Sequence, residues 1–390
     1  MRFKIIVNDK LPLGDVFFSV PLKREMKKAE KTVKDICYSK AGKLYKSNSG
    51  AIENSALIRI EKELRKMCDT ETAYHFLVLK EIARLSKKGG YPLMTNGNLS
   101  GSVISYLLGI TEYDPLSFDF EYNSVELLWG TDESLQMPDF SVCIAPQIRP
   151  LINNKLYSKL RPIINNKLYS KYGYIDYNKD VYKRISLTDA DICEVLGKLL
   201  KSTGKKPSFS DYNEKTYIRV VKNIADEYLT ESETLKKEGW VSDEALLCRL
   251  SFFDELKQMT PCNFKQLLRL YAYRHASFKH TKSVKKLSDP DFFVTRNEFF
   301  NALTCCNIPD SVALDIARKS VWSWSQASRL RYVKILGSYN APKFICEYFS
   351  DVTNLWDSDA CVSRLILMCA IAWYQITFPK EYEKIKNGEL

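Results

Sequence analysis

Residues 91–143 constrain the fold of this chain more than any other stretch. They begin YPLMTNGNLSGSVISYLLGITEYDPL and end MPDFSVC. The small residues from Gly97 to Ser102 are typical of a turn, and the apolar segment Val103 to Ile110 predicts a helix after it. Backbone N–H groups at such a helix start can hold a phosphate. Met137-Pro138-Asp139 predicts the start of a strand with a carboxylate. Nucleotidyl transfer needs these parts, together with at least two converging carboxylates for a metal pair.

The motif GSVISYLLGITEYDPL, followed by MPDF, resembles the palm of the bacterial DNA polymerase III alpha subunit, the C family of replicative polymerases, and its PolC type in particular. In that family a turn ending in Gly-Ser precedes an apolar helix, and a Pro-Asp-x-Asp-x-Asp strand follows. The helix exit matches at Gly109, Ile110, Thr111, Glu112, Asp114, Pro115 and Leu116. The resemblance implies that Gly101 and Ser102 bind nucleotide or phosphate, and that Asp139 is a catalytic residue and a metal ligand.

The chain departs from the family pattern at the residues that carry charge. Ser141 stands where the family has its second catalytic aspartate, and Cys143 stands at the next acidic position. Asn96 replaces an arginine of the turn. Near the C-terminus, Ser358 and Ala360 stand where the family has a lysine and a histidine that meet the incoming nucleotide. One carboxylate cannot clamp two magnesium ions, so the sequence predicts that nucleotidyl transfer is lost or severely reduced.

Other acids offer an alternative to the missing carboxylates. The candidates, which no spacing rule singles out, are Asp119, Glu121, Asp132 and Glu133. If such a substitution preserves activity, Mg²⁺ is the expected cofactor; otherwise we expect none.

Length and composition set broader limits. A chain of 390 residues is expected to form two or three domains, and its net charge of +11 fits a polyanionic partner such as DNA. The 11 cysteines include no C-x-x-C pair, and the three histidines show no zinc spacing and no triad motif. The sequence suggests no signal peptide and no membrane span, since the apolar run from Leu365 to Phe378 is short. We therefore expect a cytoplasmic protein without a membrane partner.

Hydrophobic spacing and the resemblance together predict an α+β fold that is mostly helical. Helical spacing is seen in residues 23–46, 53–68 and 71–85, and again in a helix that begins at Ser186 or Thr188. We expect a small palm-like nucleotidyltransferase sheet, formed near residues 1–22 and 118–145 and packed on the helix that begins at Ser102, and a helical, fingers-like C-terminal half. The predicted segments are a strand and helical lead-in (1–90), a palm-like core (91–148), a basic linker (149–180), a helical thumb- or fingers-like region (181–290) and a C-terminal fingers-like region (291–390).

The basic linker contains a tandem duplication. Residues 149–160 read RPLINNKLYSKL and residues 161–172 read RPIINNKLYSKY. Two copies are fewer than repeat architectures need, so a flexible linker or hairpin is the leading interpretation. The alternative is a nucleic-acid contact, because lysine and tyrosine alternate at Lys155, Tyr157, Lys167 and Tyr169.

Three functional hypotheses follow. The first is a PolC-like protein that binds DNA or a replication partner, with DNA-directed DNA polymerase activity lost or severely reduced. The second is an active minimal DNA polymerase or nucleotidyltransferase that uses compensating acids. The third is a structural or interaction protein with no nucleic-acid role. The sequence leaves the oligomeric state open.

Overall fold

The computed structural model describes residues 5–6, 16–19, 22–47, 50–116, 124–152, 182–238, 252, 254–278, 287, 289, 292–319 and 326–389. The chain divides into two compact units. The first is drawn from Met1–Phe120, Leu135–Gly204 and Gly388–Leu390, and the second from Glu121–Ser134 and Lys205–Asn387. The five predicted segments follow different boundaries and remain a prediction.

The strands are β1 (Ile5–Ile6), β2 (Val16–Ser19), β3 (Met94–Thr95), β4 (Ser141–Ile144), β5 (Tyr182–Asp189), β6 (Ser277–Phe278) and β7 (Val352–Asn354). The helices are α1 (Lys23–Leu44), α2 (Asn54–Asp69), α3 (Ala73–Lys88), α4 (Val103–Leu108), α5 (Ser124–Trp129), α6 (Asp191–Thr203), α7 (Glu214–Lys237), α8 (Phe264–His275), α9 (Arg296–Cys305), α10 (Asp310–Lys319), α11 (Gln326–Ser338), α12 (Lys343–Asp351), α13 (Ser358–Thr377) and α14 (Pro379–Lys386). The predicted α+β class with a helical C-terminal half is confirmed.

A mixed sheet forms the centre of the first unit. Its strand order is β1-β2-β5-β4-β3; β4 and β5 run parallel, and the other neighbours pair antiparallel. All four residues of β4 are buried, and the side chains of Val142 and Ile144 are fully so. Burial on both faces is typical of a strand in the interior of a sheet, with helices covering it.

The first three helices agree with the hydrophobic spacing of the sequence. Ala29, Val33, Cys37 and Ala41 of α1 lie four residues apart and are fully buried, so they form one apolar stripe. Helix α1 packs on α3 and α4, and α2 packs on α4. The short helix α4 is therefore enclosed by longer helices, which fix the glycine-rich turn that precedes it.

Two local predictions were wrong. The strand expected from Met137 begins only at Ser141, where the pairing of β4 with Ser186 of β5 begins. The helix expected from Ser186 or Thr188 begins at Asp191, and residues 182–189 form β5 instead. Parallel pairing with β4 supplies the backbone hydrogen bonds of β5, and a short polar segment does not reveal that pairing by its own pattern.

The second unit is mainly helical in its described residues. Helix α13 packs against α7 and α8, α9 packs against α10, and α11 against α12. By length and composition α13 is apolar enough to cross a membrane, and 56% of its most apolar window is buried inside the protein. Buried core helices have the same length and composition, so these properties do not by themselves indicate a membrane.

Candidate active site

The glycine-rich turn and Asp139 lie at the same end of two paired strands. Strand β3 leads directly into the turn Gly97–Gly101, and its residue Thr95 stands opposite Val142 of β4. The amide of Asn96 donates to the carbonyl oxygen of Ser141 (2.9 Å). Asp139 precedes β4 by two residues, and its side chain is exposed. The sheet thus joins the two parts that the sequence predicted to lie together.

The start of α4 is occupied by a buried carboxylate, Glu63 of α2, which is fully inaccessible to solvent. Its oxygens accept hydrogen bonds from the Ser102 hydroxyl (2.7 Å) and from the amides of Val103 (3.1 Å) and Ile104 (3.3 Å). Arg59 donates to Glu63 through Nε (2.7 Å) and to the carbonyl oxygen of Gly101 through Nη2 (3.0 Å). A negative charge at a helix start is favourable, and here the protein supplies it.

The other amides in the first turn of α4 also have protein partners. Ser105 N donates to the Ser102 hydroxyl (3.2 Å), and Tyr106 N donates to the Ser102 carbonyl (3.2 Å). The amides of residues 103–106, at the start of α4, are therefore all bonded to groups of the protein. The assignment of Gly101 and Ser102 to nucleotide binding remains a prediction. Nothing in the sequence motif indicated the role of Glu63, which lies 39 residues before Ser102.

Three residues that depart from the family pattern contact one another. The Asn96 side chain donates through Nδ2 to the Ser141 hydroxyl (3.0 Å) and accepts at Oδ1 from the Cys143 thiol (3.3 Å). Ser141 and Cys143 are buried. An amide, a hydroxyl and a thiol thus form a neutral cluster where the resemblance predicts one arginine and two carboxylates. Asn96, Ser141 and Cys143 are called the neutral cluster below.

The neighbouring strand supplies no carboxylate beside Asp139. Ser141 stands opposite Ser186 of β5, and the amide of Ser186 donates to the carbonyl of Phe140 (2.9 Å). The one acid of β5, Asp189, stands opposite Ile144 at the far end of β4 and pairs with Arg149 (2.7 Å). Within the described part of the chain, no three His, Cys, Asp or Glu side chains are grouped so that they could hold a metal ion.

The compensating acids suggested from the sequence remain a prediction. Asp132 and Glu133 are exposed on a turn that belongs to the second unit. Asp119 and Glu121 lie outside the described residues, as do Lys155, Tyr157, Lys167 and Tyr169 of the duplication. The predicted nucleic-acid contacts of the duplication remain a prediction.

The helix exit has a clear structural role. Gly109 ends α4 with a left-handed backbone (φ 75°), which glycine adopts without strain. The Asp114 carboxylate accepts from the Tyr45 hydroxyl (2.7 Å) and from the amide of Leu116 (2.9 Å). Burial first, and then this hydrogen bond to Asp114, raises the pKa of Tyr45 well above its ordinary value. Gly109 and Asp114, which match the family motif, therefore stabilise the local fold.

In the second unit, Ser358 is the first residue of α13 and is fully buried. Its amide donates to Asn297 Oδ1 (2.9 Å), and its hydroxyl lies 3.0 Å from that of Thr295. The preceding Asp357 pairs with Arg296 (3.0 Å). Interior partners thus occupy the position where the resemblance expects a nucleotide-contacting lysine.

Comparison with known proteins relates part of the chain to one family. Residues 31–160 match the family model described as the bacterial DNA polymerase III alpha NTPase domain. The chain is similar to the "DNA polymerase III PolC-type" of Streptococcus pneumoniae serotype 4, with 28% identity over 120 residues, covering 29% of this chain and 8% of that protein. It is also similar to the "DNA polymerase III subunit alpha" of Ureaplasma parvum serovar 3, with 22% identity over 262 residues, 66% of this chain and 24% of that protein.

A third relative, the "DNA polymerase III subunit alpha" of Escherichia coli (strain K12), is 34% identical over 85 residues, which are 22% of this chain and 7% of that protein. The chain therefore spans a quarter or less of the length of these relatives. The comparisons support a distant relationship to the DNA polymerase III alpha family, centred on the segment that holds the turn, α4 and β4.

Proposed function

We propose that this chain is a DNA polymerase III alpha (PolC)-like protein that binds DNA or a replication partner, and that its DNA polymerase activity is lost or severely reduced. Strands β3, β4 and β5 with α4 are interpreted as a shortened palm. The expected location is the cytoplasm. Mg²⁺ would be a cofactor only if activity remains.

The observation that carries the loss of activity is the neutral cluster. Metal-assisted phosphoryl transfer uses two divalent ions about 3.5–4 Å apart, held by several carboxylates. Asp139 provides one carboxylate, and the positions two and four residues further along hold a hydroxyl and a thiol that bond to Asn96. The Asn96 amide contacts both the hydroxyl and the thiol. This arrangement fits a site that has lost the arginine and the acids of the family pattern together.

Support for a nucleic-acid partner comes from charge and from kinship. The chain carries a net charge of +11, and phosphate contacts by lysine and arginine dominate non-specific DNA affinity. The relatives are named as DNA polymerases. A role in DNA replication without catalysis accommodates both the retained scaffold and the eroded carboxylates.

The test is templated primer extension with Mg²⁺ and with Mn²⁺, using the full chain and its Asp139→Ala variant. We expect no synthesis above background from either protein. Synthesis by the wild-type chain that disappears in Asp139→Ala would contradict the proposal and favour an active enzyme with compensating acids. Activity that survives in Asp139→Ala would point to a contaminating polymerase, which a repeat with independently purified protein would remove.

A further inference from the structure

Two lysines from two helices meet at the C-terminal end of α4, and the charge of a third, Lys80, acts on one of them. Lys40 lies near the end of α1, and Lys80 and Lys87 lie on α3. Both helices pack beside α4. The Lys87 ammonium donates to the carbonyl of Gly109 (3.3 Å), which satisfies one of the exposed carbonyls at that helix end. The other two lysines are not needed for this cap.

The space over Gly109 is open and bounded by ammonium groups. A Cβ atom built on Gly109 would meet Lys40 Nζ at 3.8 Å and Lys87 Nζ at 3.9 Å, and no other heavy atom beyond its chain neighbours within 4 Å. Lys40 and Lys87 are exposed, and Lys80 is partly exposed. Two cations that converge on one accessible point can contact the same phosphate group.

The charge of these three lysines is only partly offset by an acid. Lys87 has a weak pairing with Glu112 (3.9 Å). Among the residues that the structure describes, Lys40 and Lys80 form no ion pair. Partial burial, followed by the positive charges of Lys80 and Lys87, lowers the pKa of Lys40 from its ordinary value. An anion bound here would relieve the repulsion among the three ammonium groups.

We propose that Lys40, Lys80 and Lys87 form a contact site for the phosphate backbone of DNA at the C-terminal end of α4. The inference rests on the DNA binding of the proposed function, and it names the surface of the protein that makes the contact. Lysine presents a point charge to phosphate, so the site binds the DNA backbone without regard to base sequence. All three lysines belong to the first unit.

The test compares two double variants of the full chain in a fluorescence anisotropy titration against a primer–template duplex. K40Q/K80Q removes two charges from the site and leaves the Lys87–Gly109 bond in place. K23Q/K27Q removes two exposed charges from the first turns of α1, roughly 20–25 Å from Lys40 at 1.5 Å per residue. The variant K40R/K80R keeps the charge and checks that altered side chains alone do not disturb the fold.

We expect K40Q/K80Q to bind at least tenfold more weakly at low salt. Its slope of log affinity against log salt should be smaller by about 1–2, because each lost phosphate contact removes about 0.9. K23Q/K27Q and K40R/K80R should bind nearly as the wild type does. If K40Q/K80Q binds as the wild type does, or if K23Q/K27Q weakens binding equally, the proposed lysine site is wrong. Either result would leave DNA binding by the protein itself standing. A wild-type chain without salt-dependent binding would overturn both this inference and DNA binding by the protein.

Discussion

Glu63 is the residue that most directly organises the glycine-rich turn. It is fully buried and has four donors around its two oxygens, from Arg59, Ser102, Val103 and Ile104. Hydrogen bonds to buried charged groups contribute about 1.5–3 kcal/mol each when compared with leaving a partner unpaired. The turn that resembles a nucleotide-binding element is therefore held in place by the protein's own carboxylate.

Replacing this carboxylate by an amide tests that role. In Glu63→Gln one oxygen becomes an NH₂ group, which faces donors and cannot accept from them. We expect the free energy of unfolding, measured in urea, to fall by about 2–4 kcal/mol. Glu61→Gln is the matched control, because Glu61 is exposed on the same helix, and it should change stability by less than about 0.5 kcal/mol. Equal effects of the two substitutions would refute the role given to Glu63.

The site was only partly predictable at the residue scale. Comparison of the motif with the family pattern identified Asn96, Ser141 and Cys143 as departures. Their mutual contact depends on the register of β3 against β4, which residue spacing does not give. The Glu63 cap was missed because its partners lie about 40 residues away, and a capping residue is recognised in a sequence only when it is local.

At the scale of elements, α6 shows how closely the first unit is packed. Gly197 lies inside this helix against the ring of Tyr91, and a Cβ built on it would lie 2.0 Å from the ring atom Cδ1. Lys201 of the same helix also contacts this ring, with its ammonium 3.9 Å from the ring centre. A glycine in a helix interior usually costs stability, so its presence here reflects the need for space.

Gly197→Ala is expected to lower the free energy of unfolding by about 1–3 kcal/mol, because the ring must shift to admit a methyl group. Gly42→Ala in α1 is the control within the same unit, since a Cβ there meets nothing within 4 Å. That change should leave stability unchanged or raise it by up to about 1 kcal/mol, as helix propensity predicts. Urea unfolding of both variants measures the difference, and a stabilising Gly197→Ala would show that the packing is looser than described.

Elements with strong periodicity were predictable, and those defined by pairing were not. The apolar stripe of α1 and the helical spacing of α2 and α3 predicted these helices to within a few residues. Strand β5 was missed, because its hydrogen bonds come from β2 and β4, which are distant in the chain. The same strand determines which side chain stands beside the candidate site, because it places Ser186, which has no carboxylate, opposite Ser141.

At the scale of the whole molecule, kinship and chemistry lead to different expectations. Residues 31–160 match a polymerase family model, and the sheet brings the turn and Asp139 to one end of paired strands. Among the described residues at this end of the sheet, Asp139 supplies a carboxylate and the neutral cluster follows it. A scaffold of this kind can retain binding after catalysis is lost, because fold and function are separable.

The account is tested most directly by calorimetric titration of the full chain with Mn²⁺, which shares the oxygen-ligand preference of Mg²⁺. We predict no binding that depends on Asp139, so the wild type and Asp139→Asn should give the same weak signal. Ser141→Asp, which adds a carboxylate two residues from Asp139, should gain a binding step that is absent from the double variant D139N/S141D. Wild-type binding of Mn²⁺ that disappears in Asp139→Asn would contradict the account, because it would show that the metal site persists.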